Sequence, residues 1–207
     1  MPEYDASKLT PEQQYKLMTS TVVPRPIALV TTLGPEGPNA APFSFFNMVA
    51  SDPPAIMFSA GPRGKSMKDT IRNIELLPEF VVHIVDEPNK EKMNICSTEW
   101  EYGVNEIERS GFRTAPSRMV KPPRLIDCPV QYECRLIQFV KIGNKPYTMV
   151  IGEIVNFHLR DGLVDEQKMY VNTPAIQAMG RMEGRDMYCR SANDRFSMPR
   201  PDLPAKK

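Results

Sequence analysis

The chain has 207 residues, 41% hydrophobic and 25% charged, which is the make-up of an ordinary globular protein and not of a disordered or fibrous one. Its 26 Lys and Arg balance 25 Asp and Glu to a net charge of +1, so no overall field draws it to nucleic acid or an anionic membrane. Four cysteines without a C-x-x-C pair, and two histidines, His83 and His158, set in alternating apolar runs, take support from zinc and dithiol chemistry.

No apolar run approaches the roughly 18 to 20 residues that cross a bilayer. The opening M-P-E-Y-D-A-S-K lacks a basic-then-apolar signal pattern, so a cytoplasmic location is expected. Thr10-Pro11-Glu12-Gln13 predicts a helix start, with a threonine cap, proline at the first helical position and glutamine three residues on; the helix should run to about Thr19. From Arg25 the pattern turns to β. P-I-A-L-V-T-T-L and A-A-P-F-S-F-F-N, joined by G-P-E-G-P-N, predict a hairpin with a longish loop.

Ala55 to Ala60 predicts another strand, bounded by Pro53-Pro54 and Gly61-Pro62. A cationic loop follows, then a helix with Ile71, Ile74 and Leu77 on one stripe, stopped by Pro78. Phe80 to Val85 reads as a strand, Pro88 to about Ser97 as a helix, and Asn105 to Ser110 as a further short one. Thr114 to Pro129 is proline-rich and reads as an ordered extended connection. Two long β runs then make an antiparallel hairpin around G-N-K-P. Its first strand alternates Val130, Tyr132, Cys134 and Leu136 with Gln131, Glu133 and Arg135, which predicts one buried and one wetter face. Thr173-Pro174 opens a last helix that Gly180 should close, and a polar, Arg-rich tail follows. Six or more strands with inserted helices and no β-α-β alternation fit an antiparallel barrel better than a parallel sheet.

Two stretches carry candidate chemistry. Arg63, Lys65 and Lys68 run into Asp69 and Thr70 at a predicted helix start, where unpaired N–H groups and the helix dipole favour an anion. Pro42 to Asn47 is apolar but punctuated by Ser44 and Asn47, as a wall would be against a flat ring whose edge takes hydrogen bonds. Phosphate seat and polar-studded wall together suggest a nucleotide or flavin. The ordinary alternatives stand beside this: loop cations form solvated surface, and Phe43, Phe45 and Phe46 form core. Gly64-Lys65-Ser66 resembles the end of a P-loop, but Ser59 stands where that motif needs its first glycine. G-x-G-x-x-G and G-x-S-x-G are absent, so a Rossmann site and a serine-hydrolase elbow have no support.

R-P-I-A-L-V-T-T, N-A-A-P-F-S-F-F-N-M-V-A-S-D-P-P-A-I-M-F-S-A-G, K-D-T-I-R-N-I with E-F-V-V-H-I-V, P-S-R-M-V-K-P-P-R and V-I-G-E-I-V, in that order, resemble the flavin reductase-like, FMN-binding split-barrel family that includes flavoredoxin. The likeness covers about Ser20 to Tyr188, so residues 1–207 would form one domain with the first helix and the tail as appendages. It implies a mainly β, six-stranded antiparallel Greek-key split barrel, a homodimer, and FMN near the subunit interface. It also implies that Arg63, Lys68, Asp69 and Thr70 hold the FMN phosphate, and that Ser44, Phe45, Phe46 and Asn47 line the flavin ring. Ser59 and Ala60 would lie near the ribityl chain, with Arg25 close to the same pocket and Arg181 and Tyr188 approaching the flavin from the tail. His83 stands where related sequences tend to carry asparagine; it either faces the cofactor or is simply a barrel position. The activity implied is reduction of FMN by NADH or NADPH, with electrons passed to an acceptor protein or monooxygenase component. The alternatives are an electron-transfer protein in the manner of flavoredoxin, and a flavin-binding module without turnover. No side chain is singled out as catalytic, because in such a design the cofactor does the chemistry.

Overall fold

The computed structural model describes residues 1–61, 67–144, 146–192 and 195–198. Helix α1 spans Pro11–Thr21, and its expected capping box forms: Thr10 Oγ1 accepts from the Gln13 N–H while the Gln13 side chain accepts from the Thr10 N–H. Seven strands build the main sheet: β1 Ala28–Gly34, β2 Gly37–Phe43, β3 Phe46–Ser51, β4 Pro54–Ala60, β5 Glu79–Ile84, β6 Val130–Ile142 and β7 Tyr147–Leu159. Their order is β2-β1-β5-β6-β7-β4-β3, with every neighbouring pair antiparallel. The sheet curls until Phe43 on β2 meets Phe58 on β4, ring centroids 4.8 Å apart, which gives the expected split barrel.

The count of seven, where six are implied, comes from a single break. The run expected as one strand through Asn47 breaks at Ser44-Phe45, so β2 pairs with β1 while β3 pairs with β4 on the far side of the opening. The expected longish loop is also tighter, because Gly37 (φ +114°) starts β2 directly and leaves Pro35-Glu36 as the turn.

Helix α2, Asp69–Leu76, plugs one end of the barrel. Ile71 and Ile74 are buried in the same cluster as Val30, Phe58, Phe80 and Val150. Burying each such side chain contributes about 1.5–3 kcal/mol, which fixes where the helix begins. The outer face of β1 is covered as well: Leu29 packs in a second cluster beneath α3, Lys90–Cys96, and α4, Glu106–Ser110.

Two expectations change. Gln131 and Glu133 are buried, because the 114–129 excursion folds over that face: Glu133 accepts from the Arg118 and Met119 N–H groups at 2.9 and 2.6 Å, and Arg124 Nη1 donates to Gln131. The last helix is a single turn, Thr173–Ile176, ending at Gln177 with φ 54°, and Gly180 lies in strand β8, Met179–Arg181. A Cβ on Gly180 would meet Pro24 at 2.9 Å and Cys189 Sγ at 3.0 Å, so the glycine serves a close approach and not a helix end. Strand β8 pairs with β9, Tyr188–Arg190, and with the two-residue strand Arg25–Pro26, which brings the tail onto the barrel beside α1.

Candidate functional site

Seven of the predicted residues, Lys68, Asp69, Thr70, Arg25, Ser44, Arg181 and Tyr188, line two adjoining cavities beside α3; Phe45, Phe46, Asn47, Ser59 and Ala60 line neither. The first opens at the start of α2 and is lined by Lys68, Asp69 and Thr70 with Asn39 and Glu106. The second, about 260 Å³, is lined by Arg25, Ser44, Arg181 and Tyr188 with Tyr15 and Arg185. Pro42 and Ser97 belong to both, so the two cavities are neighbours across these residues. A third cavity of about 290 Å³, lined by Met93, Met179 and Tyr188, lies beyond the Arg185–Tyr188 wall.

In the first cavity Thr70 is buried and donates its hydroxyl to Asn39 Oδ1 at 3.2 Å. Asn39 Nδ2 in turn donates to Glu106 Oε2 at 2.9 Å, and the Ala40 N–H donates to the same oxygen at 3.2 Å. Burial pushes the Glu106 carboxyl up from its ordinary value, against the hydrogen bonds it accepts, and Asp69 adds to the rise. Lys68, at the N-cap, makes no side-chain capping bond. With Glu99 also on the lining, three carboxylates face one lysine among the described residues. Arg63 and Lys65 lie outside the described residues.

The wall stretch divides. Ser44 and Phe45 are half-buried at the break between β2 and β3, and the Phe45 carbonyl accepts from the Ser59 N–H at 2.8 Å, tying the turn to β4. The Phe45 ring stacks on Tyr147 at 6.0 Å and leans on Tyr15 of α1 at 6.4 Å. Phe46 is a core residue instead: its ring sits in the barrel cluster and cannot wall a cavity. Ala60 is buried in the same cluster. Asn47 is exposed on β3, its Oδ1 accepting from the Met48 N–H at 2.9 Å.

Arg25 is 7% exposed. Its Nη1 donates to the Thr19 and Val22 carbonyls at 2.5 and 2.9 Å and its Nη2 to Met182 O at 2.7 Å, so it clamps the end of α1 to the tail. Its Nε is buried without a partner. Burial lowers the guanidinium from its ordinary range, and Arg181 adds to the lowering. Arg181 is the register partner of Arg25, lies over the Tyr188 ring at 4.7 Å, and donates to the Gly184 and Arg185 carbonyls.

His83 is fully buried away from these cavities. Its Nδ1 lies 2.9 Å from Leu29 O and its Nε2 accepts from the Leu125 N–H at 2.9 Å, which fixes the Nδ1–H tautomer. Burial pushes its pKa down to about 3. It is a neutral bridge between barrel and outer cluster, the barrel position of the two alternatives.

Sequence reading missed the α3 contribution, Met93, Asn94 and Ser97, and the acid beneath α2, Glu106. Helix α3 carries no motif, and Glu106 reads as an ordinary first-turn acid; the one visible signal is Asn39, an amide opening an apolar run. Among the described residues no group of three or more His, Cys, Asp or Glu is placed to hold a metal, and no helix is long and apolar enough to cross a membrane.

The residues at hand fit a flavin in kind. A flat heterocycle wants a half-apolar ribbon with amide and hydroxyl groups, and Ser44 and Asn94 line the second cavity beside Ile27, Pro42 and Met93. The chain is 37% identical over 204 residues to an uncharacterised protein of Deinococcus radiodurans, covering 95% of this chain and 88% of the other. Its fold matches nitrilotriacetate monooxygenase component B from Bacillus cereus with TM-score 0.90 at 30% identity, over 96% and 98% of the two chains. It also matches the 2-nitrobenzoate 2-nitroreductase NbaA of Pseudomonas fluorescens with TM-score 0.87 at 39% identity, over 99% of both. Residues 18–176 match the family of the flavin reductase like domain, and the chain therefore belongs to that family of flavin-utilising oxidoreductases.

Proposed function

We propose that the protein binds FMN non-covalently along the α3 groove and is reduced by NADH or NADPH, passing electrons to an acceptor such as a monooxygenase component. The observation that carries this reading is that the cavity at Lys68–Thr70 and the cavity at Ser44, Arg25, Arg181 and Tyr188 lie side by side and share Pro42 and Ser97. In this reading Lys68, Asp69, Thr70 and Arg63 serve the 5′-phosphate, while Ser44, Phe45 and Asn47, with Ser59, serve the ring and ribityl chain. Phe46 and Ala60 support that ribbon from the core side. Because Asp69, Glu99 and Glu106 line the phosphate end, the cations there carry the affinity, and Glu106 holds Asn39 and through it Thr70.

Bound FMN would supply the two-electron chemistry. The chain's own residues position the ring, exclude water with the Tyr15–Phe45–Tyr147 row, and surround its far end with guanidinium groups. The named relatives, a monooxygenase component and a nitroreductase, support a redox role with an external acceptor. A homodimer in the cytoplasm completes the reading; Met48 and Val49, exposed on the edge strand β3, are the apolar surface it would cover.

The test is the absorption spectrum of purified protein with FMN, before and after NADH or NADPH. Nicotinamide oxidation above the free-flavin rate supports the reductase. Bound flavin that stays oxidised moves the reading to a flavoredoxin-like electron carrier, and bound flavin that no donor reduces moves it to a binding module.

A further inference from the structure

The cavity at the start of α2 is lined by Asp69, Glu99 and Glu106 against Lys68, so among the described residues its carboxylates outnumber its cation. A phosphate monoester brings nearly two more negative charges near pH 7, and like charges gathered in one partly desolvated cavity repel. One of the three acids can escape that repulsion by taking a proton, and their surroundings decide which. Glu99 is exposed, where water and salt screen its charge. Asp69 is the first residue of α2, where the helix dipole offsets a negative charge. Glu106 is only 6% exposed, the most buried of the three.

Glu106 is also bonded into the site. Its Oε2 accepts from Asn39 Nδ2 at 2.9 Å and from the Ala40 N–H at 3.2 Å, and Asn39 Oδ1 accepts the Thr70 hydroxyl at 3.2 Å. The same Asn39 oxygen accepts from Thr32 Oγ1 at 3.4 Å, and Asn73 Nδ2 donates to Thr32 Oγ1 at 3.0 Å. A buried polar network thus runs from α4 to the underside of α2. A proton on Glu106 Oε1 leaves both bonds at Oε2 in place, so the network keeps its shape while losing its charge. Burial already pushes this carboxyl up, Asp69 adds to the rise, and a phosphate alongside acts in the same direction. The other titratable groups on the lining are Lys68 on α2, a cation, and Cys96 on α3, whose thiol burial holds up to about 11, so neither has a vacancy for the proton.

Resting on the reading that the FMN phosphate sits at the start of α2, we infer that Glu106 takes up one proton from solvent as the phosphate enters, so that the site binds a phosphate monoester and a proton together. The proton adds to a carboxylate oxygen, the carboxylate becomes a neutral carboxyl, and no other bond changes. Phosphate affinity therefore falls as pH rises past the value at which Glu106 ionises in the empty site. It levels off above the higher value of the occupied site, where the phosphate binds beside an ionised Glu106. Riboflavin, which has no phosphate, escapes this dependence.

The experiment is calorimetric titration of FMN and riboflavin into the full chain, parent and Glu106→Gln, in buffers of differing ionisation enthalpy from about pH 5.5 to 8.5, which counts the protons bound. The phosphate's own proton, lost at about pH 6, enters parent and variant alike and cancels in their difference. At its maximum the parent should take up about half a proton or more beyond Glu106→Gln on binding FMN, its affinity falling up to about tenfold per pH unit, with no such difference for riboflavin. Carboxyl-carbon NMR of the parent adds a reading that needs no variant to fold: Glu106 should titrate at higher pH with FMN bound than with riboflavin bound. Equal proton counts for parent and Glu106→Gln, the same uptake with riboflavin, or a Glu106 titration that FMN leaves in place overturns the inference. Where FMN still binds more tightly than riboflavin, such a result removes only the proton. FMN binding no tighter than riboflavin at any pH removes the phosphate seat itself, and the inference with it.

Discussion

Asn39 donates its side-chain amide to Glu106 at 2.9 Å and receives the Thr70 hydroxyl at 3.2 Å, so a carboxylate on α4 sets the first turn of α2 through one asparagine. The chain of bonds joins three elements that meet only in the fold, and it sits directly under the proposed phosphate end.

Glu106→Gln keeps an oxygen for Asn39 and Ala40 while removing a buried charge. A carboxyl whose folded pKa is raised favours the fold below its unfolded value near 4.5 and loses that contribution as pH rises through the folded value. The glutamine variant should therefore be as stable as the parent or more so at pH 7, with a smaller loss of stability between pH 4 and 7. Glu106→Ala leaves two donors unanswered and should cost about 1–3 kcal/mol for each. Urea melts across pH check both, and a parent and glutamine variant with identical pH profiles would remove the charge from the account.

His83 makes a prediction of opposite sign. Its folded pKa of about 3 lies below the ordinary 6.5, so stability is full above pH 6.5 and falls as pH drops toward 3. The slope approaches one proton, about 1.4 kcal/mol per pH unit. NMR of the imidazole should show no titration between pH 8 and 5, with the proton on Nδ1. His83→Ala abandons the Leu29 carbonyl and Leu125 N–H and leaves a cavity, an expected loss of about 3–5 kcal/mol.

Gly152→Ala tests the barrel interior. An added Cβ would stand 2.4 Å from Phe80 Cζ, at a register shift in the β6–β7 ladder, and Phe80 is locked edge-on against Phe58 at 5.6 Å. The expected cost is about 1–3 kcal/mol in a denaturant melt. An unchanged midpoint would mean that the Phe80 ring can swing aside.

Legibility in the sequence followed the range of the interaction. The Thr10–Gln13 capping box, the Ile71 and Ile74 stripe and the Asn105 cap with Gly111 behind it are signals within a few residues, and the structure reproduces them. The break at Ser44-Phe45 is not local: β2 and β3 part because their partners, β1 and β4, stand on opposite sides of the barrel opening. Gln131 and Glu133 alternate as solvent positions should, and only the folding-over of residues 114–129 buries them. The site divides the same way. Lys68 to Thr70 and Ser44 stand out as a charged helix start and a polar break, whereas Glu106, Arg185 and the α3 residues acquire meaning only when distant segments meet.

The most direct test is paired titration of FMN and riboflavin into the wild type and Lys68→Ala. The phosphate end faces carboxylates once its lysine is gone, so FMN should bind about 10- to 150-fold more weakly, from the roughly 1.5–3 kcal/mol of a charged hydrogen bond, while riboflavin is barely affected. Arg63→Ala should behave alike. Equal losses for the two ligands, or none for FMN, would contradict a phosphate held at the start of α2.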